Sequence, residues 1–204
     1  MLTLHDDLSS GNGYKIRLLL TQLGIPFQYR ELHVHEGETR TPEFLAINPN
    51  GKIPVLVFDD GRTLSESNAI LYYFAQNTPY FPDNAFAQAL VMQWMCFEQY
   101  SLEPYLGVAR FWTKHPPDRP DRAERMAELK PKGDHALGVM DKHLETAEFF
   151  VGGRYSIADI SLYAYTHVAE EGGFDLATYP AVRAWIDRVA DQPDHILITQ
   201  SAFG

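Results

Sequence analysis

The sequence predicts two domains: a mixed α/β domain at residues 1–77 and an all-helical domain at residues 86–204, with a linker at residues 78–85. Strand and helix patterns alternate through the first part of the chain, whereas only helical periodicity follows the linker. Residues 77–84 hold two prolines and two turn-forming asparagines. The first-domain order is strand, helix, strand, helix, strand, strand, helix, which gives a sheet of mixed direction covered by helices.

The first domain begins with a short strand from Leu2 to His5, followed by a loop and a helix from Tyr14 to Leu23. Isoleucine and leucine at helical spacing define this helix, and Gly24 suits the position just past its end. Phe27 to Leu32 alternates as a second strand. Pro42 then occupies the first position of a short second helix.

The segment from Ile53 onward carries the most specific signal. Pro54 directly precedes an apolar run typical of a buried strand, where a trans proline would remove a ladder donor, so the Ile53–Pro54 bond is predicted to be cis. Val55 to Phe58, an Asp-Asp-Gly turn and Arg-Thr-Leu predict a hairpin. Ser-Glu-Ser-Asn, starting at Ser65, then begins a helix whose free N–H groups and positive dipole end attract a carboxylate. This combination suits a peptide-like anionic ligand.

The second domain is predicted to contain four helical stretches. Phe86 to about Trp112 is apolar at helical spacing with a bend at Pro104, and Asp121 to about Thr146 forms a long amphipathic helix. Ser156-Ile-Ala-Asp159 is a capping box, which we assign to folding and not to catalysis. Pro180 begins the last helix, which extends through Val189.

Composition excludes several classes of partner. The formal net charge of -10, from 27 acidic and 17 basic residues, makes nucleic acid and anionic membranes poor partners. No apolar run approaches the roughly 18 to 20 residues needed to span a bilayer, and the acidic start argues against a secretory signal. Cys96 is the single cysteine, which excludes an internal disulfide, a Cys-x-x-Cys pair and a cysteine-rich zinc site. We expect a cytoplasmic protein without a metal site, and we expect Cys96 to pack in a core.

The proline turn and the helix start, in this order and with hairpin spacing, resemble the glutathione transferase superfamily. The resemblance implies a thioredoxin-like first domain and an all-helical second domain, the glutathione transferase fold. It implies that Ile53, with Pro54, offers its backbone to the cysteinyl part of glutathione. It also implies that Glu66 and Ser67 hold the gamma-glutamyl end. Each motif taken alone also has a structural interpretation, with Ser65 only as a helix cap and Asn-Pro-Asn-Gly only as a loop.

The glycine end of glutathione has weaker candidates. The family often places a basic or amide side chain near this carboxylate, which would be Lys52 here, although a lysine in a loop is equally explained by solvation. Thr39 and Arg40 lie in a loop that could close over the same end. Asn68 stands where the Ure2-type relatives have an arginine, a departure from the most similar pattern.

A glutathione enzyme must stabilise a thiolate, because a free cysteine thiol has a pKa of about 8.5. The segment Ser10-Gly-Asn-Gly-Tyr-Lys15 resembles the Ser/Thr-x-Asn-Gly-x-Lys pattern of the bacterial nu-class and yeast Ure2-type transferases. By that match Ser10 contacts the thiol and Asn12 is a second donor. Ser9 is a rival because it is adjacent, and Tyr14 is a weaker rival. A solvated turn is the alternative interpretation of this segment.

The resemblance therefore implies an enzyme that binds glutathione as co-substrate and attacks a small electrophile or reduces a peroxide or disulfide. It further implies a homodimer, a role in detoxification and no tightly bound cofactor. The alternative is a non-catalytic glutathione-binding or regulatory protein with the same fold, since a fold does not specify chemistry.

Overall fold

A computed structural model describes residues 1–201, which form two compact units. The first unit comprises Met1–Thr78 together with the described residues from Pro193 onward, and the second comprises Pro79–Gln192. The grouping differs from the predicted domains at the end of the chain, because the residues after Gln192 belong with the α/β unit and not with the helices.

The first unit contains a four-stranded sheet of mixed direction. Its strands are β1 (Leu2–Asp6), β2 (Phe27–Glu31), β3 (Val55–Val57) and β4 (Thr63–Ser65), arranged in the order β2-β1-β3-β4. β1 and β2 are parallel, whereas β3 is antiparallel to both β1 and β4. The predicted hairpin is therefore the β3–β4 pair, and the predicted mixed sheet is confirmed.

Three helices accompany the sheet: α1 (Gly11–Gln22), α2 (Pro42–Ile47) and α3 (Ser67–Ala75). α1 begins three residues earlier than the periodicity predicts, because the Ser10 side chain caps it by accepting a hydrogen bond from the Gly13 N–H. α1 packs against α3. The buried core of this unit combines apolar side chains of the sheet and both helices, namely Leu4, Ile16, Leu20, Leu56, Ile70 and Leu71.

The last described residues lie against α1. The Tyr14 hydroxyl donates a hydrogen bond to the Ile196 carbonyl at 2.7 Å, and the Arg17 guanidinium donates to the carbonyls of Ile198, at 2.9 Å, and Gln200. Both donors are fully buried. These bonds explain why the end of the chain groups with the first unit.

The second unit is built from α4 (Ala85–Phe97), α5 (Glu103–Lys114), α6 (Arg122–Leu144), α7 (Ile157–Thr166) and α8 (Pro180–Ala190). The predicted bend near Pro104 is a π-helical turn between α4 and α5, with the proline in the first turn of α5. Among residues 1–201, no helix combines the length and apolar character needed to cross a bilayer.

The predicted capping box begins α7, a helix in which every residue is buried. The Asp159 carboxylate accepts hydrogen bonds from the backbone N–H groups of Ser156 and Phe150 and from the Trp185 indole at 3.0–3.1 Å. Burial raises the pKa of Asp159 to about 6, although these bonds act to lower it. This carboxylate organises a core, in agreement with a structural assignment.

The prediction that Cys96 packs in a core is wrong, because its side chain is exposed. Val91, Trp94 and Met95 form the buried face of α4. Cys96 lies one residue further along this helix and points away from that face.

Candidate functional site

Three chain segments meet at one end of the sheet in the first unit. His5, Val55 and Ser65 are aligned across neighbouring strands. Beyond this row, β1 continues into the loop before α1, β3 is entered from Ile53–Pro54, and β4 continues into Glu66. The sheet register therefore brings together the three segments that the sequence singles out.

The Ile53–Pro54 peptide bond is cis, as predicted. Pro54 is buried, Ile53 is half-buried and the Lys52 side chain is exposed. Among residues 1–201, neither the N–H nor the C=O of Ile53 has a hydrogen-bond partner. Both groups are consequently available to a peptide-like ligand.

Asn48 holds the loop that leads to this turn, a role the sequence did not assign to it. Its side-chain amide donates to the Lys52 carbonyl at 2.7 Å, and its side-chain oxygen accepts from the Asn50 N–H at 3.1 Å. Asn48 is buried, so these bonds fix the backbone immediately before Ile53.

Thr39 belongs to a short 3-10 helix that packs on the same loop. The Arg40 guanidinium donates to the Asn50 carbonyl at 3.3 Å, and the Thr39 carbonyl would lie 3.1 Å from a Cβ at Gly51. The Thr39 side chain is buried, so the structure does not present its hydroxyl at the surface. Thr39 is brought close to the Lys52 end of the site through backbone packing.

Glu66 and Ser67 begin α3 with an uncommon backbone. Glu66 has φ 68 and ψ 110 and is exposed, and no side chain makes a capping hydrogen bond at this helix start. A non-glycine residue at positive φ costs on the order of 1–3 kcal/mol and is concentrated at functional sites. Because the Glu66 side chain does not cap α3, this helix start suits an anionic ligand.

The three candidate hydroxyl groups, those of Ser10, Ser9 and Tyr14, differ in whether they already donate a hydrogen bond. The Ser10 Oγ accepts from the Gly13 N–H at 3.2 Å, and its own proton has no acceptor in the part of the chain that the structure describes. The Ser9 hydroxyl donates to the Asp7 carboxylate at 2.7 Å, and the Tyr14 hydroxyl donates to the Ile196 carbonyl. Of the three, Ser10 has the hydroxyl that can donate to a ligand.

Asn12, Lys15 and Ser67 are joined by hydrogen bonds. The Lys15 ammonium donates to the Asn12 side-chain oxygen at 2.9 Å and to the Ser67 hydroxyl at 3.4 Å. The Ser67 hydroxyl donates to the same Asn12 oxygen at 3.1 Å. Since this oxygen accepts both bonds, the amide nitrogen of Asn12 is the part of the side chain that can donate to a ligand.

Lys15 received no individual role from the sequence, although it is fully buried at the centre of the site. The available signal was its spacing from Asn12, since residues three apart share one face of a helix. Through Lys15 and Ser67, the start of α1 and the start of α3 are held together.

A buried carboxylate lies beneath the start of α1. Asp6 pairs with the Arg17 guanidinium at 3.0 Å, and both side chains are fully buried. Burial raises the pKa of Asp6 to about 7, a larger effect than the lowering by Arg17. A Cβ at Gly13 would lie only 1.6 Å from the Asp6 carboxylate, so only glycine fits there. No short-range pattern in the sequence predicts this pair.

Metal ligands are not assembled at this site. Within residues 1–201, no group of three or more histidine, cysteine, aspartate or glutamate side chains could hold a metal ion. The chemistry available at the site is that of hydroxyl, amide, backbone and ammonium donors, which together suit an anionic peptide.

Comparison with known proteins gives the family. Residues 9–77 match the family model of the glutathione S-transferase N-terminal domain, and residues 93–193 match that of the C-terminal domain. The chain therefore belongs to the glutathione S-transferase family.

Individual relatives agree with this membership. The disulfide-bond oxidoreductase YfcG of Escherichia coli K12 is 34% identical over 190 residues, which cover 89% of this chain and 87% of that protein. A glutathione S-transferase structure from Pseudomonas fluorescens superposes with a TM-score of 0.94 at 47% identity, covering 98% of this chain and 99% of that chain. The glutathione transferase URE2P6 of Phanerochaete chrysosporium, solved with oxidized glutathione, has a TM-score of 0.82 at 28% identity, covering 95% and 92%.

These matches confirm the predicted family and fold class. They also confirm the predicted class of function, a glutathione transferase.

Proposed function

We propose that the first unit binds glutathione where the three segments meet, and that Ser10 and Asn12 stabilise its thiolate. The observation that carries this proposal is the hydrogen-bond state of Ser10. Its Oγ is fixed by the Gly13 N–H at the start of α1, while its proton has no acceptor among the residues described. A positioned hydroxyl donor at the positive end of a helix is suited to a thiolate.

The free energy of thiolate stabilisation that these donors can supply is sufficient for chemistry at neutral pH. Lowering a thiol pKa from about 8.5 by two units requires about 2.7 kcal/mol of preferential thiolate stabilisation. One hydrogen bond to a charged group contributes about 1.5–3 kcal/mol. The Asn12 amide nitrogen and the helix dipole, typically worth about 0.3–1 kcal/mol, supply the remainder.

The remaining predicted residues would hold the peptide. The free N–H and C=O of Ile53 would pair with the cysteinyl backbone of glutathione, in the turn fixed by Pro54. Glu66 and Ser67 would receive the gamma-glutamyl group at the uncapped start of α3. Lys52 has an exposed ammonium that suits the glycine carboxylate, and Thr39 would contribute through its loop.

Disulfide reduction is the reaction that the similarity to YfcG favours, given that protein's name. A glutathione thiolate attacks one sulfur of the substrate disulfide, forming a mixed disulfide and expelling the other sulfur as a thiolate. A second glutathione thiolate then attacks the glutathione sulfur of this mixed disulfide, giving oxidised glutathione and the reduced second thiol. These two steps use no protein cysteine. They therefore suit a chain whose one cysteine, Cys96, lies in α4 and not in the segments of the proposed site. Conjugation to a small electrophile uses the same thiolate.

The test is an activity profile of the wild type and of a Ser10→Ala, Asn12→Ala double variant. Glutathione concentration is held fixed, and an aryl halide, a hydroperoxide and a small disulfide are compared. We expect turnover of the disulfide and at least a tenfold loss in the double variant. Full activity of the double variant would reject the thiolate mechanism. Tight glutathione binding by calorimetry, without turnover of any substrate, would instead support the non-catalytic binding protein.

We also propose a homodimer, a cytoplasmic location and a role in detoxification, which follow from the family resemblance. A single cysteine in 204 residues suits a reducing compartment. Sedimentation at micromolar concentration tests the dimer, and a monomer under these conditions would contradict it.

A further inference from the structure

Arg17 occupies an unusual place for an arginine in this structure. Its side chain is fully buried, and the guanidinium donates four hydrogen bonds. The acceptors are the Asp6 carboxylate and the carbonyls of Leu8, Ile198 and Gln200. A single side chain thus joins the end of β1, the loop before α1 and the last residues of the chain.

The bond to Leu8 is the one closest to the proposed chemistry. The Arg17 Nη2 donates to the Leu8 carbonyl at 2.8 Å, two residues before Ser10. Near Ser10, the loop is also restrained by bonds from the Ser10 N–H to the Asp7 carbonyl and from Ser9 to the Asp7 side chain. The Asp7 carboxylate further accepts from the Val34 N–H at 3.3 Å, and the Arg17–Leu8 bond adds a link to a side chain of α1. Arg17 therefore ties this loop to the body of α1.

Stability alone is a poor explanation for the buried pair. An apolar pair of similar volume is often as stable as a buried ion pair, because both charges must be desolvated. Here the pair also demands a glycine at position 13, where any Cβ would collide with the Asp6 carboxylate. The buried Asp6–Arg17 pair and the glycine that it requires both lie next to the loop that holds Ser10.

We propose that Arg17 is a positioning residue for the thiolate site: anchored by Asp6 and the chain end, it holds the Leu8 carbonyl so that the Ser10 hydroxyl meets the thiol. This inference rests on the proposed function. A displacement of about 1 Å at a reacting group can lower a rate by as much as a hundredfold, so one loop restraint is enough to matter.

The main variant is Asp6→Asn, Arg17→Met, which removes the anchor without leaving a buried charge unpaired. Asp60→Asn, Arg62→Met is the matched control, since it removes an exposed Arg–Asp pair from the same unit. The pKa of the bound glutathione thiol is read from the ultraviolet absorbance of the thiolate. Affinity for S-hexylglutathione, which has no free thiol, is measured in parallel.

We expect the thiol pKa of the main variant to rise by about one unit, which lowers the thiolate fraction about threefold at pH 7 and about tenfold at pH 5.5. Affinity for S-hexylglutathione should change less than about threefold, and the control should match the wild type. An unchanged thiol pKa would overturn the proposal. A parallel loss of S-hexylglutathione binding would also overturn it, because Arg17 would then support the whole site.

Arg17→Lys provides a second test if the double variant does not fold. Lysine keeps the charge beside Asp6 but lacks the planar fork, so it cannot reach the carbonyls of Leu8 and Ile198 together. We expect an intermediate rise in the thiol pKa, and no rise would reject the inference. A Ser10→Gly variant separates the two proposals. If its thiol pKa rises and that of the Arg17 variants does not, only the role of Arg17 fails.

Discussion

Replacing Ser10 by glycine should separate its two roles. As the N-cap of α1, Ser10 satisfies the Gly13 N–H, and as the proposed thiol contact it donates its own proton. Serine-to-alanine changes at a cap cost about 0.5–2 kcal/mol of stability, whereas glycine costs only a few tenths. Ser10→Gly should therefore leave the fold nearly intact while removing the donor.

The expected rise in the pKa of the bound thiol is large compared with this small loss of folding stability. Losing a charge-assisted hydrogen bond of about 1.5–3 kcal/mol raises the pKa of the bound thiol by about one to two units. At pH 6.5 we expect kcat/KM to fall about five- to fiftyfold, with partial recovery at higher pH as the thiolate forms without assistance. The assay combines ultraviolet titration of the bound thiol with the pH profile of turnover.

Two further variants make this experiment decisive. Ser10→Thr keeps a hydroxyl and should restore most of the activity. Ser9→Ala should leave the thiol pKa unchanged, because the Ser9 hydroxyl donates to Asp7 and the Ser9 N–H, which alanine retains, keeps the loop bonded to the same carboxylate. The reasoning is refuted if Ser10→Gly keeps the wild-type thiol pKa, or if Ser9→Ala raises it as much as Ser10→Gly does.

Three other predictions concern stability and binding. Gly13→Ala should lower the free energy of unfolding by about 2 kcal/mol or more, because the added methyl group overlaps Asp6. Gly138→Ala should raise it by about 0.5–1 kcal/mol, because the added methyl group meets nothing within 4 Å. Urea denaturation measures both changes. Glu66→Gly should stabilise the fold by about 1 kcal/mol, because glycine adopts the φ of 68 at this position without strain. The same variant should bind glutathione about tenfold more weakly in calorimetry, and tighter binding would contradict the proposed contact. Burial raises the pKa of Asp159 from 3.8 to about 6, so the unfolded chain releases this proton first as pH rises. Stability should therefore fall by about 2 kcal/mol between pH 4 and 6, and Asp159→Asn should flatten that slope. Equal slopes in the wild type and the variant would refute this prediction.

The parts of the fold with short-range signals could be predicted from the sequence. The cis bond at Pro54, the hairpin after it and the Ser156–Asp159 capping box each depend on neighbouring residues, and the structure contains all three. Their geometry is determined within a few residues of chain.

Features that depend on distant contacts could not be predicted. The docking of the chain end on α1 joins Arg17 to Ile198 and Gln200, and the residues near Ile198 show no periodicity that would reveal it. Asp6 and Arg17 appear in the sequence as ordinary charged residues, and only the fold buries them. The position of Cys96 on the exposed side of α4 could not be predicted either, because the apolar run around it does not define which face of the helix is buried.

The hydrogen bonds around Lys15 connect the two halves of the proposed glutathione site. Asn12, the second proposed thiol donor, and Ser67, in the proposed gamma-glutamyl contact, both bond to this buried ammonium and to each other. We therefore expect a shift at the start of α3 to alter the orientation of the Asn12 amide. If Arg17 positions the Ser10 loop as proposed, the thiol would meet two donors that are each held by a buried cation. Catalysis of this kind depends on donors that need no rearrangement when charge develops, and these two cations would provide that rigidity without touching the sulfur.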